Sequence, residues 1–216
     1  MRAFDDIRLR PFGTALEPSF FTNDAPQVAR DLLGCVLASV ADGALVAGRI
    51  VETEAYLGSD DPGSHAATKG MTRRNAVMYG PAGQAYVYFT YGNHHMLNVV
   101  ADSEGRAAAV LIRAVEPLLG VDVMTNRRKG RPLHELCNGP GKLAQAFGID
   151  LRDNATVLGD GRLAVFAGEG VAAESVRSTG RIGLSAGHEL PLRFLIADSP
   201  FVSRGRIGPR VPARRR

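Results

Sequence analysis

Apolar and polar positions change period several times along the chain, and each change marks an element. Asn23-Asp24-Ala25-Pro26 reads as a helix start, and QVARDLLG continues it to a stop at Gly34. CVLASV and ALVAGRIVETEAY read as two strands joined through Asp42-Gly43, a dipeptide that favours tight hairpins. Residues 58–83 are rich in Gly, Pro, Ser and Asp and form a long irregular connection, a kind that is usually functional or mobile. AYVYFTYGNHHMLNVVA reads as a second hairpin turning at Tyr91-Gly92-Asn93-His94. RAAAVLIRAVEP adds a strand interrupted by Arg113, and GPGKLAQAFGI a short helix opened by Gly139-Pro140-Gly141. RLAVFAGE and PLRFLIADS supply further strands. No internal repeat and no linker between two cores is visible. The pattern predicts an α+β protein: a single domain over residues 1–203 with a curved, mainly antiparallel β-sheet, flanking helices and a protruding β-hairpin. Residues 204–216 read as a basic, flexible tail.

Within the second strand, VETEAYLG places Glu52, Glu54 and Tyr56 on one alternate set and Thr53 and Ala55 on the other. Side chains alternate between the faces of a strand, so two carboxylates and a phenol line one surface. A carboxylate beside an aromatic can sit in a partly desolvated pocket and act as a base. The pattern does not say which glutamate works. Neighbours at i and i+2 lie about 7 Å apart along a strand, so the pair also suits an acid and a base flanking a glycosidic bond. A strand edge with two solvated glutamates is the plainer alternative.

Composition narrows the partner class. Lys+Arg is 26 and Asp+Glu 22, and the last thirteen residues, RGRIGPRVPARRR, hold six arginines and no acid. Without them 20 basic residues face 22 acidic ones, a net of −2, so the positive excess sits on the tail. A second basic cluster, Arg127, Arg128, Lys129 and Arg131, lies in what reads as a loop. Both favour nucleic acid as a partner; a solvated chain end is the other reading of the tail. Only Lys69, Lys129 and Lys142 could serve imine chemistry, because arginine stays protonated. Cys35 and Cys137 form no CxxC pattern and read as buried thiols of a reducing compartment. MRAFDDIRLRPFG lacks the apolar run of a signal peptide, and no stretch suits a bilayer. The expectation is a cytoplasmic protein, at the nucleoid if bacterial, with no membrane partner.

Several residues carry candidate chemistry. Tyr86, Tyr88 and Tyr91 cluster on the second hairpin; Tyr86 and Tyr88 share a face and Tyr91 falls at the turn. Core packing suits Tyr86, while aromatics near a turn can stack on bases or wedge between them. Asn98 on the return strand could read a base edge. Arg113 inside an apolar run needs a carboxylate partner, with Glu54, Glu52 and Glu116 as candidates. His65 lies on the long loop. His94 and His95 are adjacent and do not chelate one metal together, and no spacing resembles a metal site, so neither metal nor cofactor is expected. GPGKL lacks the first glycine and the Ser/Thr of a P-loop. Lys142 at a helix start could still hold a backbone phosphate.

Taken in order, RIVETEAYLG, DPGSHA, MTRRNAVM, YVYFTYG with Asn98, VLIRAVEP and GPGKLAQAFGI resemble the alkyladenine (3-methyladenine, N-methylpurine) DNA glycosylase family over about residues 28–202. The resemblance implies a monomeric enzyme that flips a damaged purine, alkylated or deaminated as in hypoxanthine, out of double-stranded DNA. The enzyme then hydrolyses its N-glycosidic bond and leaves an abasic site. It implies Glu54 as general base for the attacking water, with Glu52 silent, and Arg113 and the Ile182 main-chain carbonyl as further holders of that water. Tyr56 and Tyr88 would sandwich the base, His65 would meet its edge, Tyr86 would support the pocket, and Asn98 would crowd the amine of guanine. Tyr91 would fill the gap in the duplex. Lys142, Arg127 and Arg128 stand as DNA-backbone candidates. Two other classes share part of this pattern: a damage-sensing module that wedges without cutting, and a hydrolase of free nucleosides using Glu52 and Glu54.

Overall fold

A computed structural model describes residues 4, 7–64, 66–67, 70–90 and 92–208. Eight strands form one curved sheet: β1 (Val36–Ala41), β2 (Ala44–Tyr56), β3 (Ala85–Thr90), β4 (His94–Ala101), β5 (Ala108–Leu119), β6 (Leu163–Phe166), β7 (Val176–Thr179) and β8 (Arg193–Ile196). Their order is β3-β4-β5-β2-β1-β6, with β8 joined to β2 and β7 to β8, and every pairing is antiparallel. β1 and β2 meet through Asp42 and Gly43, both at positive φ (52° and 74°), the geometry of a type I′ hairpin turn.

Three α-helices are present among the described residues: α1 (Ala25–Asp31), α2 (Val121–Arg127) and α3 (Pro140–Phe147). The Asp24 carboxylate caps α1 by accepting from the Gln27 N–H at 2.8 Å, and Pro26 fits the first turn. Leu32, Leu33 and Gly34 (φ 87°) end the segment where the sequence placed its stop. α2 corrects one expectation: the basic cluster does not lie wholly in a loop, because Arg127 closes this helix. With seven residues and no side-chain cap, α2 carries little local signal. β7 was also not anticipated; VRST is short, polar and mostly exposed.

The helices bury Val28, Ala29, Leu143, Ala144 and Phe147 against one face of the sheet, where they meet Ile50, Leu97, Val110 and Ile112. The opposite face holds the polar residues of interest, and a pair of bulges puts them there. In β2, Val46 and Ile50 point into the helix-covered core, and two-residue alternation would send 52, 54 and 56 after them. Ile50 pairs with Val115 and Glu52 with Ala114, so Val51 is an extra residue on β2; Thr53 then pairs with Ile112, so Arg113 is an extra residue on β5. Each insertion reverses the alternation of its strand. Past the bulge Thr53 and Ala55 face the core, and Glu52, Glu54 and Tyr56 face away. There β2 also changes neighbour: Ala44–Arg49 pair with β1, while residues 52–54 pair with β8.

Thr53 ties the bulged stretch to α1 by donating its hydroxyl to the Ala29 carbonyl at 2.7 Å. Thr53→Val is expected to destabilise the protein by about 1 kcal/mol in urea unfolding while leaving the chemistry on the opposite face unchanged. A wild-type unfolding midpoint would show that this bond does not fasten α1 to β2.

Candidate active site

One row of directly opposed residues crosses five strands: Arg193 (β8), Glu54 (β2), Leu111 (β5), Asn98 (β4) and Tyr86 (β3). Opposed residues in an antiparallel sheet point the same way, so the row runs along the face away from the helices. Tyr56 and Tyr88 lie two residues further along β2 and β3 on that face. Together with Gly63, Ser64, Met78, Tyr86, Asn98 and Leu184 they line a cavity of about 50 Å³, room for about two waters. The Tyr86 and Tyr88 rings stand 5.2 Å apart at 38°. Asn98 donates its amide to the Tyr86 carbonyl at 3.1 Å. The guanidinium of Arg181 lies 4.8 Å from the Tyr56 ring centre, and that of Arg74 lies 4.9 Å from the centre of Tyr88.

Glu54 sits beside this slot, fully buried. Its Oε2 accepts from the Tyr56 hydroxyl at 2.8 Å and lies 3.1 Å from Arg113 Nη1; its Oε1 accepts from the Ile182 N–H at 2.8 Å. Ile182 therefore touches the carboxylate through its amide. Glu52, equally buried, is bound on both oxygens. Oε1 accepts from Arg113 Nε (2.8 Å), Arg193 Nε (2.7 Å) and the Ser203 hydroxyl (2.7 Å), and Oε2 from the Ser203 N–H (2.6 Å). Arg113 thus bridges both glutamates, as its place in an apolar run required; Glu116 pairs in register with Arg49 instead.

Charge and burial compete here, and the pairs win. Burial alone would raise Glu52, yet the charges of Arg113 and then Arg193, with the Ser203 N–H, hold it below the ordinary carboxylate value. Burial works against a charged Arg113, but the Glu54 and Glu52 carboxylates raise it further above its already high value. Burial first, then the Glu54 charge, pushes the Tyr56 phenol well above its usual pKa, so it stays a hydrogen-bond donor. Tyr86 is pushed up to about 12 by burial, with Arg74 opposing.

Arg113 and Ile182 also line a larger cavity of about 640 Å³, bordered by Arg128, Lys142, Arg204 and Arg206 and by the start of α3. A second hollow of about 690 Å³ continues it past Lys129 and Arg131, sharing Arg128 and Lys142. Burial, then repulsion from Arg128, Arg131 and Arg204 partly offset by Glu135, lowers Lys142. Arg127 lies elsewhere: its guanidinium donates to the Ala41 and Ala146 carbonyls and ties α2 to β1 and α3. His65 and Tyr91 lie outside the described residues. Arg181, Asp61, Arg193 and Ser203 were not singled out from the sequence. Arg181 is wholly buried, held by Asp61 at 2.5 Å and by the Ala55 and Gly187 carbonyls. An arginine just past the short polar strand VRST carries no local mark of such burial. Among the described residues no group of three or more His, Cys, Asp and Glu could hold a metal ion, and no helix is long and apolar enough to cross a membrane.

A buried carboxylate between an aromatic slot and a cationic cavity is the equipment of an enzyme that acts on a flat base attached to a phosphate chain. Comparison with known proteins gives the class its name. The sequence model of the Methylpurine-DNA glycosylase family matches residues 19–200, and the chain belongs to that family, whose members are hydrolases of N-glycosyl bonds in DNA. Proteins provisionally named 3-methyladenine DNA glycosylase are similar over nearly their whole lengths. One from Carboxydothermus hydrogenoformans is 48% identical, covering 88% of this chain and 98% of its own. One from Koribacter versatilis is 46% identical (87% and 92%), and one from Methanoculleus marisnigri 46% (88% and 98%).

Because folding lowers the Glu52 pKa below its ordinary 4.5, its contribution to stability is complete above about pH 4.5 and is lost as pH falls through the folded value. Glu52→Gln is expected to cost about 3–5 kcal/mol at neutral pH, because Arg113 and Arg193 lose a buried counter-charge. It should also flatten the acid side of the stability–pH curve. Urea unfolding of both proteins between pH 3 and 7 checks both effects.

Proposed function

We propose that this protein removes alkylated purines from double-stranded DNA by flipping the damaged nucleotide into the tyrosine slot and hydrolysing its N-glycosidic bond with a water activated by Glu54. The observation that carries the reading is the setting of Glu54: a fully buried carboxylate fixed between Tyr56, which lines the slot, and Arg113 and the Ile182 N–H, whose residues line the cationic cavity. The substrate in the names of its relatives, 3-methyladenine, is the first lesion expected.

A base stacked in a duplex cannot be reached, so extrusion costs a few kcal/mol, least at a damaged pair. Stacking between Tyr56 and Tyr88 recovers about 1–3 kcal/mol per base, and the electron-rich rings attract the positive charge of an alkylated purine. The 50 Å³ slot must widen to admit a purine. Tyr86 backs Tyr88. Asn98, pinned to the Tyr86 carbonyl, meets the base edge and excludes the guanine amine, His65 faces the same base, and Tyr91 fills the gap in the duplex.

Water attacks the anomeric carbon as the N-glycosidic bond breaks. The bonding pair leaves with the base, which an alkylated cation accepts without further protonation, and the proton of water passes to Glu54. Arg113 holds the Glu54 carboxylate in place for that transfer, and the carboxylate steadies the positive sugar. A neutral lesion such as hypoxanthine requires a proton at the departing nitrogen as well. Water rather than an amine is the nucleophile, so the product is a plain abasic site. One chain carries the whole apparatus, which fits a monomer. The acid–base pair alternative is disfavoured at Glu52, whose oxygens are held by Arg113, Arg193 and Ser203.

Glu54→Gln is expected to keep lesion binding and slow single-turnover excision from a 3-methyladenine or hypoxanthine duplex by about 10²–10⁴-fold. Equal rates would remove Glu54 as the base, and no excision by wild type on either duplex would favour a protein that senses damage without cutting. Lys142→Ala is expected to weaken binding of lesion and intact duplexes alike and to reduce the slope of log K against log salt by about 1. An unchanged slope would take Lys142 off the phosphate path.

A further inference from the structure

The segment from Ser203 to Gly208 touches two of the three groups that hold Glu54, Arg113 and Ile182. At its near end, Ser203 grips Glu52 with its N–H and hydroxyl, and its hydroxyl oxygen accepts from Arg113 Nη2 at 3.3 Å. Glu52 in turn takes Arg113 Nε, which aims Nη1 at Glu54. At its far end, Ile207 and Gly208 form β-bridges with Ile182, and the Gly183 N–H donates to the Gly208 carbonyl at 3.2 Å. Ile182 is the residue whose N–H holds the other oxygen of Glu54. Between the ends the backbone lies directly on Ile182: a Cβ added at Gly205 would come within 2.6 Å of Ile182 Cγ2. Arg204 and Arg206, exposed on either side of Gly205, line the same cavity as Arg128 and Lys142.

We propose that Ser203–Gly208 is a positioning strap: a DNA phosphate drawn to Arg204 and Arg206 sets, through Ser203 and Ile182, two of the three contacts that orient Glu54. The inference rests on the function proposed above and adds a coupling to it. Arginine at 204 and 206 then contributes to the rate of bond cleavage as well as to affinity. Remote binding energy of this kind is used to orient a reacting group, and a misplacement of an ångström far from the chemistry is enough to cost rate. Ser203 touches no substrate atom and acts only through Glu52 and Arg113.

The test is single-turnover excision at saturating protein, together with duplex affinity, for wild type, Arg204→Ala/Arg206→Ala, Ser203→Ala, Ser203→Thr and the triple variant. The arginine pair is expected to bind more weakly and also to cut about tenfold more slowly when saturated. Ser203→Ala should cut more slowly by a similar factor with near wild-type affinity, and Ser203→Thr, which keeps the hydroxyl, should restore most of the rate. The triple variant should be no slower than Ser203→Ala, because both changes release the same contact. Wild-type saturated cleavage by the arginine pair would overturn the proposal and leave a plain affinity contact. Rate losses that multiply in the triple variant would overturn it too. The arginines are exposed, so their variant tests the strap even if Ser203→Ala does not fold. Absence of excision by wild type is a separate result that removes the proposed function itself.

Discussion

Everything at the site depends on one guanidinium placed between two buried carboxylates. Glu52 and Glu54 face the same side of β2 two residues apart, and two such charges without a cation between them could not both stay ionised out of water. Arg113 meets both, and Arg193 adds a second cation on Glu52. A buried ion cluster of this kind gains little over a well-packed apolar core, because desolvation offsets most of the attraction. What it fixes is direction. Arg113 is held along its length by Nε to Glu52 and by Nη2 to Ser203, so Nη1 reaches Glu54 from one angle. The Ile182 N–H and the Tyr56 hydroxyl fix the remaining freedom of the carboxylate.

The backbone makes that cluster possible through the two compensating bulges. Val51 and Arg113 are each the extra residue on their strand, and one insertion without the other would leave β2 and β5 out of step. Together they turn Glu52, Glu54 and Tyr56 away from the helices, and they swing Arg113 to the same side. The change of neighbour from β1 to β8 happens at the same level, which brings Arg193 across from Glu54 and Thr179 within 3.2 Å of Arg193. Function and topology are therefore one feature of β2: the strand bends and parts from β1 where its carboxylates emerge.

Much of this was legible in the sequence. The Asp42-Gly43 hairpin, the second hairpin and the strands around VETEAY and VLIRAVEP follow from alternation and turn chemistry, and the shared face of Glu52, Glu54 and Tyr56 follows from period two. Tyr86 and Tyr88 on one face, Asn98 opposite Tyr86 and a carboxylate partner for Arg113 were legible in the same way. Which face the carboxylates take was not, because it depends on the side-by-side apolar pair Ile50-Val51, and such a pair marks a bulge only when the partner strand is known. Arg181, Arg193 and Ser203 escaped for another reason. Each is defined by a partner more than a hundred residues away, Ala55 or Asp61 for the first and Glu52 for the other two, and no local period reports such a contact. Arg127 misled because a run of basic residues looks the same whether its members face solvent or satisfy carbonyls.

The same network sets the two glutamates apart by the donors each one meets. A general base needs a lone pair within reach of a water, in the direction of the reacting carbon. Glu52 is the more heavily bound of the two: three donors reach Oε1, the Ser203 N–H reaches Oε2, and the charges around it depress its basicity. Glu54 accepts on Oε1 from the Ile182 N–H alone among the described residues, and Ile182 itself opens on the cavity where a phosphate chain would lie. The two carboxylates therefore differ in connectivity: Glu52 meets two guanidinium groups and both donors of Ser203 and fixes Arg113, while Glu54, bound by Tyr56, Arg113 and Ile182, is the one the proposed function assigns to the water. Sequence spacing treats them as equivalent, and the difference arises wholly from Ser203 and Arg193 arriving on Glu52 from the far end of the chain.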